Sequence, residues 1–203
     1  MNIHKQRINE LKQIQIELLG FNPNNKRECL KAVKIDGDNL QYVKEQTHEI
    51  CLAAVRQNGC ALQYVKEQTY EICLEAVKEY GLALLFVHDE FRTPELCMEA
   101  VKNNSLALQF VEKQTLELCM EAVSKNGYAL QFVKEQIEEI CIVAVRNNGL
   151  ALYYVKEQTP KICMEAIKNK RYALKYVKDL NMLNFANNED YESFLEKFDR
   201  KSE

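Results

Sequence analysis

Cysteine and histidine are the residues of this chain best suited to metal, redox or nucleophilic chemistry, and their spacing bounds which of these it could perform. Cys29, Cys51, Cys73, Cys97, Cys119, Cys141 and Cys163 follow one another at steps of 22, 22, 24, 22, 22 and 22 residues, with Cys60 outside the series. A zinc site needs clustered ligands such as CxxC, whereas the closest pair here, Cys51 and Cys60, is nine residues apart. Disulfides fail on geometry: equivalent residues on packed helices lie roughly 9 Å apart, beyond the Cα limit of about 7 Å. The seven thiols therefore read as small apolar groups where one helix approaches the next. Cys60 is the thiol expected to react. His4, His48 and His88 are scattered, and no Ser–His–Asp, Cys–His, phosphate-loop or paired-carboxylate arrangement accompanies them. The chain is read as non-enzymatic, with no cofactor.

Two further series suggest binding. Lys34, Arg56, Lys78, Lys102, Arg146 and Lys168 share one register, interrupted by Ser124. A basic stripe can bind nucleic acid, but Glu75, Glu99 and Glu165 precede three of these cations by three residues, the spacing of helix-surface ion pairs. With a net charge of −3, the chain lacks the positive excess of a nucleic-acid groove. The aromatic series Tyr42, Tyr64, Phe86, Phe110, Phe132, Tyr154 and Tyr176 falls on an apolar helix face and is expected in the core.

These spacings belong to one repeat. Cutting at the threonines gives units 25–46, 47–68, 69–92, 93–114, 115–136, 137–158 and 159–180, a period of 22 residues with one unit of 24. In THEICLAAVRQNGCALQYVKEQ, Thr47 caps a first helix whose apolar residues cover most of its circumference. Asn58-Gly59 reads as a left-handed stop. Ala61, Leu62, Tyr64 and Val65 form the i, i+3, i+4 face of a second, shorter helix, and Lys66, Glu67 and Gln68 end it in water. Asn25, Thr69, Thr93, Thr115 and Thr159 repeat the cap, with Pro94 and Pro160 at the first helical position. Ile137 breaks the cap rule. Gly37, Gly81, Gly127 and Gly149 repeat the stop; Ser105 and Arg171 replace it.

Helices this short do not persist alone in water, so the units must stack on a continuous core. The expected fold is an all-α solenoid of seven tandem helix-pair repeats spanning residues 25–180. A capping helix is expected within 1–24, with Ile8, Leu11, Ile14 and Leu18 on one face. Another is expected within 181–203, carrying Tyr191, Phe194, Leu195 and Phe198. No apolar run reaches the eighteen or so residues of a membrane span, and the N-terminus lacks a signal-peptide core. A cytoplasmic protein is expected.

The word NGxALQYVKEQTxEICLxAV resembles the short helical repeat catalogued as domain of unknown function 4116. That family occurs mainly in giant viruses and in bacteria or protists sharing their hosts. The resemblance implies a helical repeat fold and a viral or host-interaction setting, in which case the location is the host cytoplasm. It implies no activity.

Function should sit where units differ. One variable series is Asp38, Cys60, Leu82, Leu106, Tyr128, Leu150 and Tyr172. A second is Gln41, Gln63, Leu85, Gln109, Gln131, Tyr153 and Lys175. The first serves equally as inter-unit packing or as surface. The insertion of unit three, Val87-His88-Asp89-Glu90-Phe91-Arg92, is the other candidate. Partner contacts are therefore assigned to His88, Glu90, Phe91, Arg92, Gln63, Gln109, Gln131, Tyr128, Tyr153 and Tyr172. The expected function is a scaffold for protein–protein interaction, without nucleic acid or membrane. The alternative is a small-molecule or nucleotide-sequestering module, with the oligomeric state left open.

Overall fold

The computed structural model describes residues 20–183, together with residues 7, 8, 10, 11, 13, 14, 17 and 18. Seven α-helices of ten residues carry the seven units: α1 Lys26–Ile35, α2 His48–Gln57, α3 Tyr70–Glu79, α4 Pro94–Asn103, α5 Leu116–Lys125, α6 Glu138–Asn147 and α7 Pro160–Asn169. The described residues are helical, turn or irregular and include no strand. The chain is an all-α helical-repeat solenoid.

Each helix begins where its cap predicts. The Oγ of Thr47, Thr69, Thr93, Thr115 and Thr159 accepts the N–H three residues on, and Asn25 does the same work for α1. Ile137 holds the same extended backbone but offers no side-chain bond. The inward positions of α2, Ile50, Cys51, Ala54 and Val55, are buried. Their counterparts in the other helices repeat the pattern.

The second element of each unit departs from the expected α-helix. It is a six-residue 3₁₀ segment: Gly37–Tyr42, Gly59–Tyr64, Gly81–Phe86, Ser105–Phe110, Gly127–Phe132, Gly149–Tyr154 and Arg171–Tyr176. A 3₁₀ helix rises about 2.0 Å per residue against 1.5 Å in an α-helix, so six residues run alongside most of a ten-residue partner. Three residues per turn also eclipse positions i and i+3, making the segment a three-sided prism. In unit two Gly59 and Leu62 form one side, Ala61 and Tyr64 the second, Cys60 and Gln63 the third.

The glycines are not left-handed stops. Each α-helix ends on an extended residue, such as Asn58 at φ −147° and ψ 109°, and among the described glycines a positive φ occurs at Gly20. Glycine is needed for closeness. A Cβ on Gly59 would lie 2.5 Å from the Ala76 carbonyl oxygen in the next helix, and Gly37, Gly81, Gly127 and Gly149 face Ala54, Ala100, Ala144 and Ala166 in the same way.

The chain divides into two compact units, residues 1–107 and 108–203. In the first, α1 packs on α2, α2 on α3 and α3 on α4; in the second, α5 packs on α6 and α6 on α7. Ile8, Leu11, Ile14 and Leu18 are helical and exposed. The expected C-terminal cap, with Tyr191, Phe194, Leu195 and Phe198, lies outside the described residues.

Candidate functional site

Many polar side chains of the repeat are used by the fold itself. The glutamine ending each KEQ word does not lie free in water. Gln46 donates through Nε2 to the Leu40 carbonyl of its own unit (3.3 Å) and the Tyr64 carbonyl of the next (2.8 Å). Its Oε1 accepts the Lys66 N–H (2.9 Å) and faces the Cys51 thiol (3.8 Å). Gln136 and Gln158 repeat the set. The lysine of the same word reaches backward: Lys66 Nζ donates to the Lys44 carbonyl at 2.7 Å and Lys156 Nζ to the Lys134 carbonyl at 2.8 Å. KEQT is therefore a fastening between neighbouring units, followed by a cap.

The thiols share this structural character. Burial pushes Cys51, Cys73 and Cys141 up to about 11. Cys60 is half-buried and more accessible than the other seven. Burial, helped by nearby Asp38, raises its pKa as well, which disfavours the reactive thiolate. Five of the six cations in the series, Arg56, Lys78, Lys102, Arg146 and Lys168, are paired with glutamates. Glu75 meets Arg56 at 2.7 Å and Lys78 at 3.5 Å, while Glu165 meets Arg146 at 2.6 Å and Lys168 at 2.9 Å. The hydrogen bonds from Arg56 and Arg146 hold the two carboxyls below their usual range.

The insertion in unit three forms a tight turn, Asp89–Phe91. Arg92 folds back on it, with Nε 2.9 Å from the Val87 carbonyl and 3.5 Å from Asp89. The His88 N–H is held by Gln68 Oε1. Glu90 is exposed and Phe91 half-buried.

What remains is the third side of the 3₁₀ prism. The two variable series are its i and i+3 positions, so they form one stripe within each compact unit: Asp38 with Gln41, Cys60 with Gln63 and Leu82 with Leu85 in the first, Tyr128 with Gln131, Leu150 with Tyr153 and Tyr172 with Lys175 in the second, with Leu106 and Gln109 at the division. The second member of every pair is exposed. Gln41, Gln63 and Gln131 turn their amides onto the carbonyl three residues back, at 3.0, 3.1 and 3.0 Å.

In units five to seven the stripe becomes aromatic. Tyr153 is 63% and Tyr172 80% exposed. Tyr153 meets Tyr154 at 5.1 Å and Tyr176 at 5.2 Å, both edge to face, and Tyr154 meets Tyr128 at 6.1 Å. Lys175 stands over the Tyr176 ring at 4.7 Å. The structure thus brings Tyr128 and Tyr153 into one cluster and adds Tyr154 and Tyr176, which the sequence placed in the core. The whole aromatic series is half-buried instead, because it occupies the prism side between core and stripe.

With this geometry in place, the chain was compared with known proteins. The model of the family described as domain of unknown function DUF4116 matches residues 25–68, 69–116 and 115–159. The chain belongs to this family. Each match spans about two of the 22-residue units, so a DUF4116 module is a fastened pair of them. Unit seven, which carries Tyr172 and Lys175, lies beyond the third match. No curated protein and no solved structure matches the chain. Among the described residues, no helix is long and apolar enough to cross a membrane.

A shallow groove of about 360 Å³ lies beside the cap of α6, lined by Leu116, Cys119, Ile137, Ile140, Gln114 and Lys134 among others. Its volume suits a small ligand, but its main donors already serve the fold. Gln114 Nε2 donates to the Leu108 and Phe132 carbonyls, and Lys134 Nζ to the Glu112 carbonyl.

Proposed function

We propose that this DUF4116 protein is a non-enzymatic helical-repeat scaffold of the cytoplasm that holds a protein partner on the tyrosine stripe of units five to seven. The observation that carries the reading is the exposure of Tyr153 and Tyr172 beside a clustered set of tyrosine rings. Tyrosine is enriched at protein-binding hot spots because it offers a large apolar area and a polar tip at small entropic cost. The backbone of this segment does not require these residues. Units one and two build the same 3₁₀ turn with Asp38, Gln41, Cys60 and Gln63. The small-molecule alternative needs donors converging on a pocket, and in the groove beside Ile137 the main donors are engaged with backbone carbonyls.

Peptide display tests the reading. A library is selected on the wild-type protein and counter-selected on the Tyr153→Gln/Tyr172→Gln variant, and the survivors are titrated calorimetrically. Peptides that bind wild type at least roughly tenfold tighter than the variant are expected, since loss of a hot-spot residue typically costs about 2 kcal/mol. A selection that yields no peptide sensitive to the two tyrosines contradicts the proposal.

A further inference from the structure

We infer that the segment held by this face is acidic, with an apolar or aromatic residue beside its carboxylates, and that unit seven recognises the charge. The inference rests on the scaffold reading above and adds the chemistry of the partner. Between residues 159 and 180 six Lys/Arg stand against two Asp/Glu, whereas units five and six each carry two against three. Three of the six cations, Lys170, Arg171 and Lys175, occupy positions where no other unit places a cation.

Lys170 stands where Asn58, Asn126 and Asn148 cap the 3₁₀ segment, and the segment it precedes has no side-chain cap. Arg171 takes the glycine position. Lys175 takes the position of Gln131, whose amide closes its own turn. Every substitution is cationic, and all three flank Tyr172 within one segment. A polar end to a repeat stack needs solubility, which either sign of charge provides.

Lys175 lies over the Tyr176 ring at 4.7 Å, while the charges of α7 and those of Lys178 and Asp179 are used within the fold. Glu165 is paired with Arg146 and Lys168, Lys161 with Glu138, and Lys178 Nζ with the Val155 and Lys156 carbonyls. Asp179 accepts the Asn181 N–H. Lys170 and Lys175 are exposed. Because positions i and i+3 eclipse in a 3₁₀ turn, Tyr172 and Lys175 share one edge, with Tyr153 against Tyr176 next to it. That edge offers a cation and a ring side by side. Carboxylates would pair with the two lysines while the apolar neighbour covers the tyrosines, the charge setting specificity and on-rate.

The test uses fluorescence anisotropy of the full chain with four labelled probes. Three are peptides in which Leu and Tyr alternate with Glu, with Gln or with Lys; the fourth is oligothymidylate. The Glu peptide should bind roughly tenfold tighter than the Gln peptide at low salt, the preference shrinking as salt screens the charges. Lys170→Gln/Lys175→Gln should erase the preference while leaving the Gln peptide bound as before. Lys170→Glu/Lys175→Glu should invert it toward the Lys peptide. If Gln and Glu peptides bind equally well and both depend on Tyr153 and Tyr172, the acidic assignment falls and the scaffold reading stands. If no peptide shows tyrosine-dependent binding, both fall. Lysine-dependent binding of oligothymidylate above the Glu peptide would overturn the assignment in favour of nucleic acid.

Discussion

The stripe of units one and two and the stripe of units five to seven share a backbone and differ in what they show to solvent. In the former, Gln41 and Gln63 fold their amides back onto their own turns, and Asp38 accepts a bond from Asn58. Those polar groups are satisfied within their own turn or by the next unit. In the latter, Leu150, Tyr153 and Tyr172 present apolar and aromatic surface that no local bond requires. Leu85, 51% exposed, makes unit three a smaller departure of the same kind. The contrast separates two kinds of sequence constraint. Residues that recur from unit to unit, such as Gln46, Gln68, Gln136 and Gln158, hold units to one another; residues that vary decorate a side of the 3₁₀ prism that the fold leaves free.

The comparison is sharpened most by breaking what the two stripes have in common. Gln136→Ala strands the Lys156 N–H and the Leu130 and Tyr154 carbonyls, and should cost about 1–3 kcal/mol. Gln46→Ala should cost a similar amount, read by urea midpoints, because the fastening is the same in both halves. Next, Tyr153→Gln/Tyr172→Gln should abolish partner binding by roughly tenfold or more, whereas Gln41→Ala/Gln63→Ala should leave it unchanged in the same titration. Gly59→Ala drives a methyl group against the Ala76 carbonyl and should lower stability by about 1–3 kcal/mol. Arg171→Gly, at the equivalent place of the last unit, should be close to neutral in thermal melts. The smallest effect is expected at the missing cap: Ile137→Thr should stabilise by about 0.5–1 kcal/mol, seen as a raised melting temperature.

Alkaline titration offers an independent check on the inner ladder. The thiols of Cys51, Cys73 and Cys141 are raised in the folded chain from the ordinary value near 9 to about 11. The folded state therefore holds protons that the unfolded state releases first. Stability should be full below pH 9 and fall as pH rises toward 11. Cys51→Ala/Cys73→Ala/Cys141→Ala should flatten that part of the profile in urea melts followed against pH.

The repeat, its register and its all-α class were legible because Thr47 and its counterparts, Pro94, Pro160 and the cysteine ladder all mark one phase. The kind of helix was not. Ala61, Leu62, Tyr64 and Val65 satisfy α spacing, and the i, i+3 relation they share with a 3₁₀ turn is blind to the difference. Asn58-Gly59 was misread for a similar reason. The dipeptide is a local signal for a left-handed residue, but its cause is the Ala76 carbonyl, seventeen positions away and meaningful after the units have docked. Gln68 looked solvated because Lys66 and Glu67 beside it are charged; its partners, the Phe86 carbonyl and the His88 N–H, belong to the next unit. Tyr128, Tyr153 and Tyr172 were legible as variable positions. Tyr154 and Tyr176 were not, since an aromatic on the flank of a three-sided prism has the same spacing as one in a core.

The most direct test of this division is a urea unfolding series comparing Tyr153→Gln/Tyr172→Gln with Gln136→Ala in the full chain. Each edge-to-face contact of a ring as exposed as Tyr153 should contribute about 0.5 kcal/mol, the low end of the usual range, and Tyr153 makes two, so the tyrosine variant should stay within about 1 kcal/mol of wild type while the Gln136 variant unfolds clearly earlier. A tyrosine variant that unfolds at or before Gln136→Ala would make those rings part of what holds the chain together, and would contradict their assignment to a partner.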